Sequence, residues 1–171
     1  LGESGIETLV TSCAECFRTF ALDYELDDMK VMHTTEFLVE KGFDMGLKTN
    51  DEVTVTYHDP CRLGRQMNIY DEPRDLVGSV EGVNLVEMEH TGEDALCCGV
   101  SSMMSCNENS RALRVQRFDE VRETGADIML TSCPKCVAHF ECLKFEGDPR
   151  HDFEILDVVS FLARQIEESR G

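Results

Sequence analysis

Nine cysteines carry the chemistry this sequence can offer: Cys13, Cys16, Cys61, Cys97, Cys98, Cys106, Cys133, Cys136 and Cys142. Cys13/Cys16 and Cys133/Cys136 have CxxC spacing, and Cys97-Cys98-Gly99 sets two cysteines side by side before a glycine. Thiolates are nucleophiles, redox groups and soft metal ligands, and every one of those uses requires loss of the proton. A CxxC opening a helix meets free N–H groups and the positive end of the helix dipole, which favours the thiolate. Alone, that arrangement suits a redox dithiol or a zinc site equally well. Adjacent side chains on a strand point to opposite faces, so two neighbouring cysteines reach one site only from a bent loop. Gly99 permits such a bend and a close backbone approach, and N–H groups in that loop can bond to sulfur. The plain alternative is a pair of buried cysteines beside a turn.

The elements that must position these residues repeat. Gly5-Ile6-Glu7-Thr8-Leu9-Val10-Thr11-Ser12-Cys13-Ala14-Glu15-Cys16 is echoed 120 residues on by Gly125-Ala126-Asp127-Ile128-Met129-Leu130-Thr131-Ser132-Cys133-Pro134-Lys135-Cys136, with Phe20 and Phe140 in the same register. Val31-Met32-His33 before Phe37-Leu38 corresponds to Ile155-Leu156-Asp157 before Phe161-Leu162 at an offset of 124. Each echo reads as strand, CxxC turn, helix, short strand, helix. Ile6–Thr11 and Ile128–Thr131 are apolar runs too short for helices. Phe17, Phe20, Ala21 and Tyr24 recur at helical spacing, as do Val137, Phe140 and Leu143, and Pro134 suits a first helical turn. Between the echoes, Val53–Tyr57 reads as a strand broken by His58-Asp59-Pro60, a helix starts within Cys61–Ile69, and Leu85–Met88 reads as a strand. Asn107–Thr124 reads as a helix with Leu113, Val115, Phe118 and Val121 inward and Gly125 as its stop. The expected class is α/β, alternating strands and helices with a mostly parallel sheet. It carries an internal duplication whose first copy is truncated: residues 1–50 the tail of one repeat, 51–171 a complete second.

The chain starts at Leu1 rather than methionine, and projecting Cys61, Cys97 and Cys98 back onto the first copy lands before Leu1, so a fragment is expected. A net charge of −18, from 16 basic and 34 acidic residues, opposes nucleic-acid binding and attraction to an anionic membrane. No apolar run is long enough for a transmembrane helix, and no secretory signal is apparent. An odd cysteine count without a signal does not resemble a secreted disulfide framework, and points to a reducing, anaerobic cytoplasm. An acidic, lysine-poor surface fits a salt-rich cytoplasm as well as it fits ordinary solubility.

In an alternating α/β fold Cys61, Cys97, Cys98, Cys133 and Cys136 follow strand ends, which converge on one crevice at the carboxyl edge of the sheet. The pattern His58-Asp59-Pro60-Cys61, Cys97-Cys98-Gly99 and Thr131-Ser132-Cys133-Pro134-Lys135-Cys136 resembles the cysteine-rich, or CCG-domain, family over about residues 53–162. That family includes catalytic subunits of heterodisulfide reductases and iron–sulfur subunits of glycolate-, lactate- and glycerol-3-phosphate-oxidising complexes. The resemblance implies that the five cysteines bind a noncubane 4Fe–4S cluster, that full-length relatives carry two copies, and that a disulfide is reduced between two such clusters. It implies electron-donating or -accepting partner subunits carrying iron–sulfur, flavin or membrane cytochrome groups, and a cytoplasmic protein that reaches the membrane through such a partner. No protein acid or nucleophile is assigned a catalytic role.

Three alternatives stay open: an electron relay of a flavin-dependent hydroxyacid dehydrogenase, a zinc-bound structural module, and a thioredoxin-like dithiol enzyme. Cys13 and Cys16 lack upstream ligands and could remain thiols, form a disulfide in air or capture zinc. Gly99 and His58 are supporting candidates; Arg62, Arg65 and Lys135 could offset thiolate charge or bind an anion, or be solvated charge. Cys106, Cys142 and the Met103-Met104 pair read as packing residues, and His33, His90, His139 and His151 show no ligand spacing.

Overall fold

The computed structural model describes residues 5–26, 28–43, 46–100, 107–150 and 152–169. Cys106, the Met103-Met104 pair and His151 lie outside the described residues. Strands and helices alternate: β1 (Thr8–Thr11), α1 (Ala14–Leu22), β2 (Lys30–His33), α2 (Thr34–Glu40), β3 (Lys48–His58), α3 (Gly64–Met67), α4 (Asp71–Gly78), β4 (Glu81–Val86), α5 (Glu108–Thr124), β5 (Ile128–Thr131), α6 (Pro134–Phe145), β6 (Glu154–Asp157) and α7 (Val158–Glu168). A four-stranded sheet has the order β4-β3-β5-β6, and β1 and β2 form a separate pair; every pairing is parallel. The α/β class expected from the sequence is the one observed.

Alternation along the strands sorts residues into two layers. Val55 and Tyr57 of β3 and Ile128 and Leu130 of β5 pack with Leu76, Val77, Val158, Phe161 and Leu162 from α4 and α7. Met129 and Ile155 face the other side, with Phe118 and Val121 of α5 and Phe140 and Leu143 of α6. Cys98, Cys133 and Cys136 belong to that second layer. The chain leaves β3 toward β4 on one side, and leaves β5 toward β6 on the other. Their carboxyl ends, with His58 paired to Thr131, therefore form the switch point at which such sheets open a crevice.

The two parallel pairs share one register. Thr8↔Lys30 through Thr11↔His33 matches Ile128↔Glu154 through Thr131↔Asp157 when β1 is advanced by 120 residues and β2 by 124. Their helices also start alike: Cys13 and Cys133 are extended N-cap residues, and His33 and Asp157 cap α2 and α7 by accepting from the N–H of Thr35 and Val159. The environments differ: all four residues of β5 are buried, whereas β1 alternates exposed and half-buried.

Local readings shift in three places. The helix expected after Cys61 is one turn, Gly64–Met67, because Asn68 takes the left-handed conformation with φ 58°; α4 then restarts at Asp71. The strand expected at Leu85–Met88 is β4, Glu81–Val86, displaced toward the N-terminus by its pairing with Val53–Thr56 of β3. On α5, Asn107 caps and Gly125 ends the helix as expected, but Leu113 and Val115 are only half-buried. Arg114 and Arg117 are fully buried in their place, because α5 must satisfy polar groups at the crevice that an apolar face would leave unpaired. Tyr24 lies past the end of α1 and is 56% exposed.

Candidate metal centre

The β3–β5 switch point gathers the sulfurs. Cys133 ends the turn after β5 and opens α6, so the N–H groups of Lys135 and Cys136 are directed at its Sγ. One helical turn on, Cys136 donates its S–H to Cys98 Sγ at 3.2 Å. Cys98 is hydrogen-bonded in turn with Cys97, and Cys97 Sγ accepts the N–H of Gly99 at 3.3 Å. The result is a continuous run, Cys133–Cys136–Cys98–Cys97, in which Cys98, Cys133 and Cys136 are buried and Cys97 is half-buried. Cys61 is half-buried on the same edge, one residue past Pro60.

Protons are unequally shared along this run. The hydrogen bond with Cys136, helped by the backbone N–H groups, brings Cys133 down to about 6 against its burial. Cys136, hydrogen-bonded with both Cys133 and Cys98 and fully enclosed, is pushed well up. Cys98 rises to about 12: the bond from Cys136 eases its ionisation, but its bond with Cys97 and burial outweigh that. Cys133 is thus the readiest of the three to ionise, and Cys98 and Cys136 hold their protons until a metal displaces them. A largely buried set of sulfur donors of this kind fits a soft metal or an iron–sulfur cluster, and Cys61, Cys97, Cys98, Cys133 and Cys136 are the candidates to hold it.

Gly99 has a structural requirement beyond the bend. With φ +87°, it lies so close to α5 that a Cβ there would meet the Ser110 carbonyl oxygen at 2.9 Å and His139 Nε2 at 3.4 Å. The close approach is to a helix start rather than to sulfur alone. Sequence spacing gives His139 no function, yet it is buried on α6 one turn beyond Cys136 and feels the charge of Cys97. The i, i+3 spacing of Cys136 and His139 is the signal in the sequence that could have found it.

His58 stands at the end of β3, fully buried against Phe140 with ring centroids 4.9 Å apart and nearly perpendicular. A ring nitrogen of His58 and the Sγ atoms of Cys98 and Cys136 lie within 4.8 Å of one another. Its Nδ1 accepts from Arg117 Nε at 3.1 Å. Burial first, then the charge of Arg117, hold His58 neutral, with its pKa lowered to about 3. The Arg117 Nη1 donates to the His90 carbonyl oxygen at 2.6 Å and to Glu120 at 2.5 Å, and His90 Nδ1 meets Glu120 at 2.8 Å. Arg114 donates from Nη1 to the His139 carbonyl oxygen at 3.2 Å. Nothing in the sequence pattern points to these arginines, because a charge on a helix is ordinarily read as its wet face.

A second ionic knot fixes the loops. Arg74 of α4 forms two hydrogen bonds with Asp59, at 2.8 and 2.9 Å, and also reaches Glu87, Thr91 and the Tyr70 carbonyl oxygen. Asp59 additionally accepts the N–H of Gly92 at 2.9 Å. The knot joins the turn bearing Cys61 to the segment leading into Cys97. Arg65 assists by donating to the Ala95 carbonyl oxygen at 2.6 Å, and Arg62 bonds Gln66 at 2.8 Å. Burial alone would raise the Asp59 carboxyl, but the hydrogen bonds and charge of Arg74 hold it below the ordinary value of 3.8. A carboxyl with a lower pKa folded than unfolded adds stability above its unfolded value and loses it as pH falls through the folded one. In Arg74→Ala burial acts without the cation and raises that carboxyl, so acid titration of unfolding free energy is expected to show the gap between wild type and Arg74→Ala largest near pH 7, narrowing from above the ordinary carboxyl value of 3.8 and continuing to narrow below it.

Cys13 and Cys16 lie across from this site. Cys13 is raised first by burial, opposed by the backbone N–H of Cys16, and it also feels the charge of Cys133. Lys135 at the start of α6 pairs with Glu15 at the start of α1, so the two CxxC turns face each other. A cavity of about 270 Å³ opens beside Cys13 and Cys16, bounded by Phe20, Tyr24 and Lys135. Cys142 lies apart, its Sγ 3.6 Å from the Ala138 carbonyl oxygen of its own helix. No helix among the described residues is long and apolar enough to cross a membrane.

Comparison with known proteins agrees with this geometry. The chain is 31% identical over 172 residues to one subunit of the dihydromethanophenazine:CoB–CoM heterodisulfide reductase of Methanosarcina acetivorans, covering 95% of the chain and 41% of that protein. It is 31% identical over 163 residues to one subunit of the fumarate reductase (CoM/CoB) of Methanothermobacter marburgensis, covering 92% and 32%. It is 27% identical over 170 residues to the probable iron–sulfur-binding oxidoreductase FadF of Bacillus subtilis, covering 96% and 24%. The chain thus spans less than half the length of these relatives, which are oxidoreductases or parts of them. The model of the CCG cysteine-rich domain matches residues 55–141, the stretch that runs from β3 through Cys61, Cys97, Cys98, Cys133 and Cys136, and the chain belongs to that family.

Proposed function

We propose that this chain is part of an iron–sulfur electron-transfer subunit of the heterodisulfide reductase type. The observation that carries the reading is the run of hydrogen-bonded sulfurs Cys133–Cys136–Cys98–Cys97 at the sheet's switch point, buried except for the half-buried Cys97. Cys61, Cys97, Cys98, Cys133 and Cys136 hold one 4Fe–4S cluster, and the family resemblance makes that cluster noncubane. A bound cluster supplies electrons one at a time, and cleaving a disulfide to two thiols consumes two electrons and two protons. The chain's own contribution is to gather and desolvate the thiolates, and to fix their loops through Asp59–Arg74 and Arg65. Residues 1–50 are the tail of a first repeat and 51–171 a complete second. The shared register of the pairs β1–β2 and β5–β6 supports that division. The facing CxxC turns and their Glu15–Lys135 pair support a disulfide held between two half-sites of the whole protein. Cys13 and Cys16 alone take zinc or stay thiols. Electrons come from or go to partner subunits bearing iron–sulfur, flavin or membrane cytochrome groups, in a cytoplasmic assembly.

The chain is also similar over nearly its whole length to the probable iron–sulfur-binding oxidoreductase FadF, which favours one second reading, an electron relay of a flavin-dependent hydroxyacid dehydrogenase that touches no disulfide. Anaerobic reconstitution of the chain is expected to give about four iron per complete site. Stoichiometric zinc without iron would sink the cluster and support a structural module. The full-length protein, supplied with a reduced viologen dye, is then expected to oxidise the dye only when a thiol-coenzyme heterodisulfide is present. That dependence should vanish in Cys61→Ser. Loaded protein that ignores every disulfide offered, yet takes electrons from a flavin partner, would establish the relay instead.

A further inference from the structure

His58, Cys98 and Cys136 form the group that most resembles an ordinary metal site, since one atom from each lies within 4.8 Å of the others. On spacing alone this is a His/Cys/Cys set of the kind that zinc takes. We infer that Arg117 forbids that use: it fixes the proton of His58 on Nε2 and makes the ring an N–H donor beside the sulfurs rather than a metal ligand. The inference deepens the iron–sulfur reading by explaining how the site keeps its donor set to sulfur, but its test needs no iron.

The argument rests on what a guanidinium lacks. A neutral imidazole that binds a metal through Nε2 carries its proton on Nδ1, and the protein receives that proton at a carboxylate, a carbonyl oxygen or water. At His58 the partner of Nδ1 is Arg117 Nε, at 3.1 Å. Arginine has five N–H donors and no acceptor, and it keeps its charge in proteins. A proton on Nδ1 would set two donors against each other and strand both in the interior, at the cost of an unmade buried hydrogen bond. The lone pair is therefore on Nδ1, already taken, and Nε2 carries the hydrogen, so neither ring nitrogen keeps a free lone pair for a metal.

Arg117 has no freedom to withdraw. It is fully buried, and its Nη1 is held by the His90 carbonyl oxygen and by Glu120. Glu120 is 6% exposed and is itself held by His90 Nδ1, so the cation is matched by a fixed anion. Phe140 packs edge-on against the His58 ring and limits its rotation. This is the reverse of the support that a metal-ligating histidine receives. It leaves Nε2–H as the one hydrogen-bond donor of a ring that stands beside Cys98 and Cys136.

Two measurements on the anaerobic, thiol-reduced, metal-free chain test this. Two-bond 15N–1H correlation spectra of histidine-labelled protein, with His58 assigned by its loss in His58→Gln, are expected to show a bare Nδ1 and a protonated Nε2. A proton on Nδ1 in the wild type overturns the inference with no substitution involved. Arg117→Gln/Glu120→Gln replaces the obligate donor with a group that can accept, and removes the unpaired carboxylate that would compromise folding. In that variant the tautomer is expected to reverse and Co2+, titrated as the probe metal, to bind about 10- to 100-fold more tightly with an imidazole signature in its spectrum. Unchanged Co2+ affinity with a reversed ring would overturn the claim that Arg117 bars ligation. Arg117→Lys, another obligate donor, is expected to keep the wild-type tautomer, and reversal there would also count against it. Failure of the wild-type chain to take up iron would defeat the proposed function and leave these results unaffected.

Discussion

Cys98→Ser is expected to reduce the iron bound after anaerobic reconstitution from about four per chain to below about one, while Cys142→Ser leaves it unchanged. The two positions make a fair comparison because both are cysteines in ordered segments with similar side-chain volume to lose. Cys98 is 1% exposed and sits in the middle of the sulfur run, receiving S–H from Cys136 and bonded with Cys97. A serine hydroxyl there is a hard, protonated donor among soft thiolates, so the site loses both a ligand and the bond that links Cys136 to Cys97. Cys142 lies outside that run and contacts the Ala138 carbonyl oxygen of its own helix. Iron and labile sulfide analysis, with far-ultraviolet circular dichroism to check the fold, reads the difference. Equal loss from both substitutions would mean that the cysteines at the switch point are not the holders.

Arg74→Ala is expected to lower the unfolding free energy of the metal-free chain by about 3 kcal/mol, measured by denaturant titration at neutral pH, because it leaves a buried carboxylate without its cation. The Asp59 side chain is 2% exposed, and Arg74 supplies both of its charge-assisted bonds. What remains to Asp59 is the N–H of Gly92 and the hydroxyl of Thr91. The same substitution is expected to weaken cluster retention, since Asp59 precedes Pro60-Cys61 and Gly92 begins the segment that leads to Cys97. Asp59→Asn/Arg74→Met removes the charge pair together and should recover part of the stability, because no unpaired buried ion remains. If Arg74→Ala costs less than about 0.5 kcal/mol, the knot is a surface pair in energetic terms and does not organise the site.

The amino-acid sequence by itself determined the class of fold, the pairing of CxxC turns with helix starts, and the family. Those are local or periodic properties. Ile128–Thr131 is apolar and too short for a helix, Pro134 opens α6, and Asn107 and Gly125 bound α5 by backbone rules that act within a few residues. The motifs around Cys61, Cys97-Cys98-Gly99 and Cys133/Cys136 are likewise visible as strings, because each is a strand end or a turn. Tertiary structure decided the rest. The strand order β4-β3-β5-β6 is set by which faces must be covered, and it alone creates the switch point that brings Cys98 to 3.2 Å from Cys136 across 38 residues of chain. Burial of Arg114 and Arg117 could not be read from α5, since the helix pattern marks apolar residues as inward and leaves charge outside. Arg74 meets Asp59 only because α4 packs beside the ends of β3 and β4, and His139 meets Gly99 only because α6 crosses the start of α5. Each of these partners is remote in sequence and polar. A polar group's partner is chosen by desolvation and geometry in the assembled core, where an unmatched donor or charge is costly, and neither acts on the chain before it is packed.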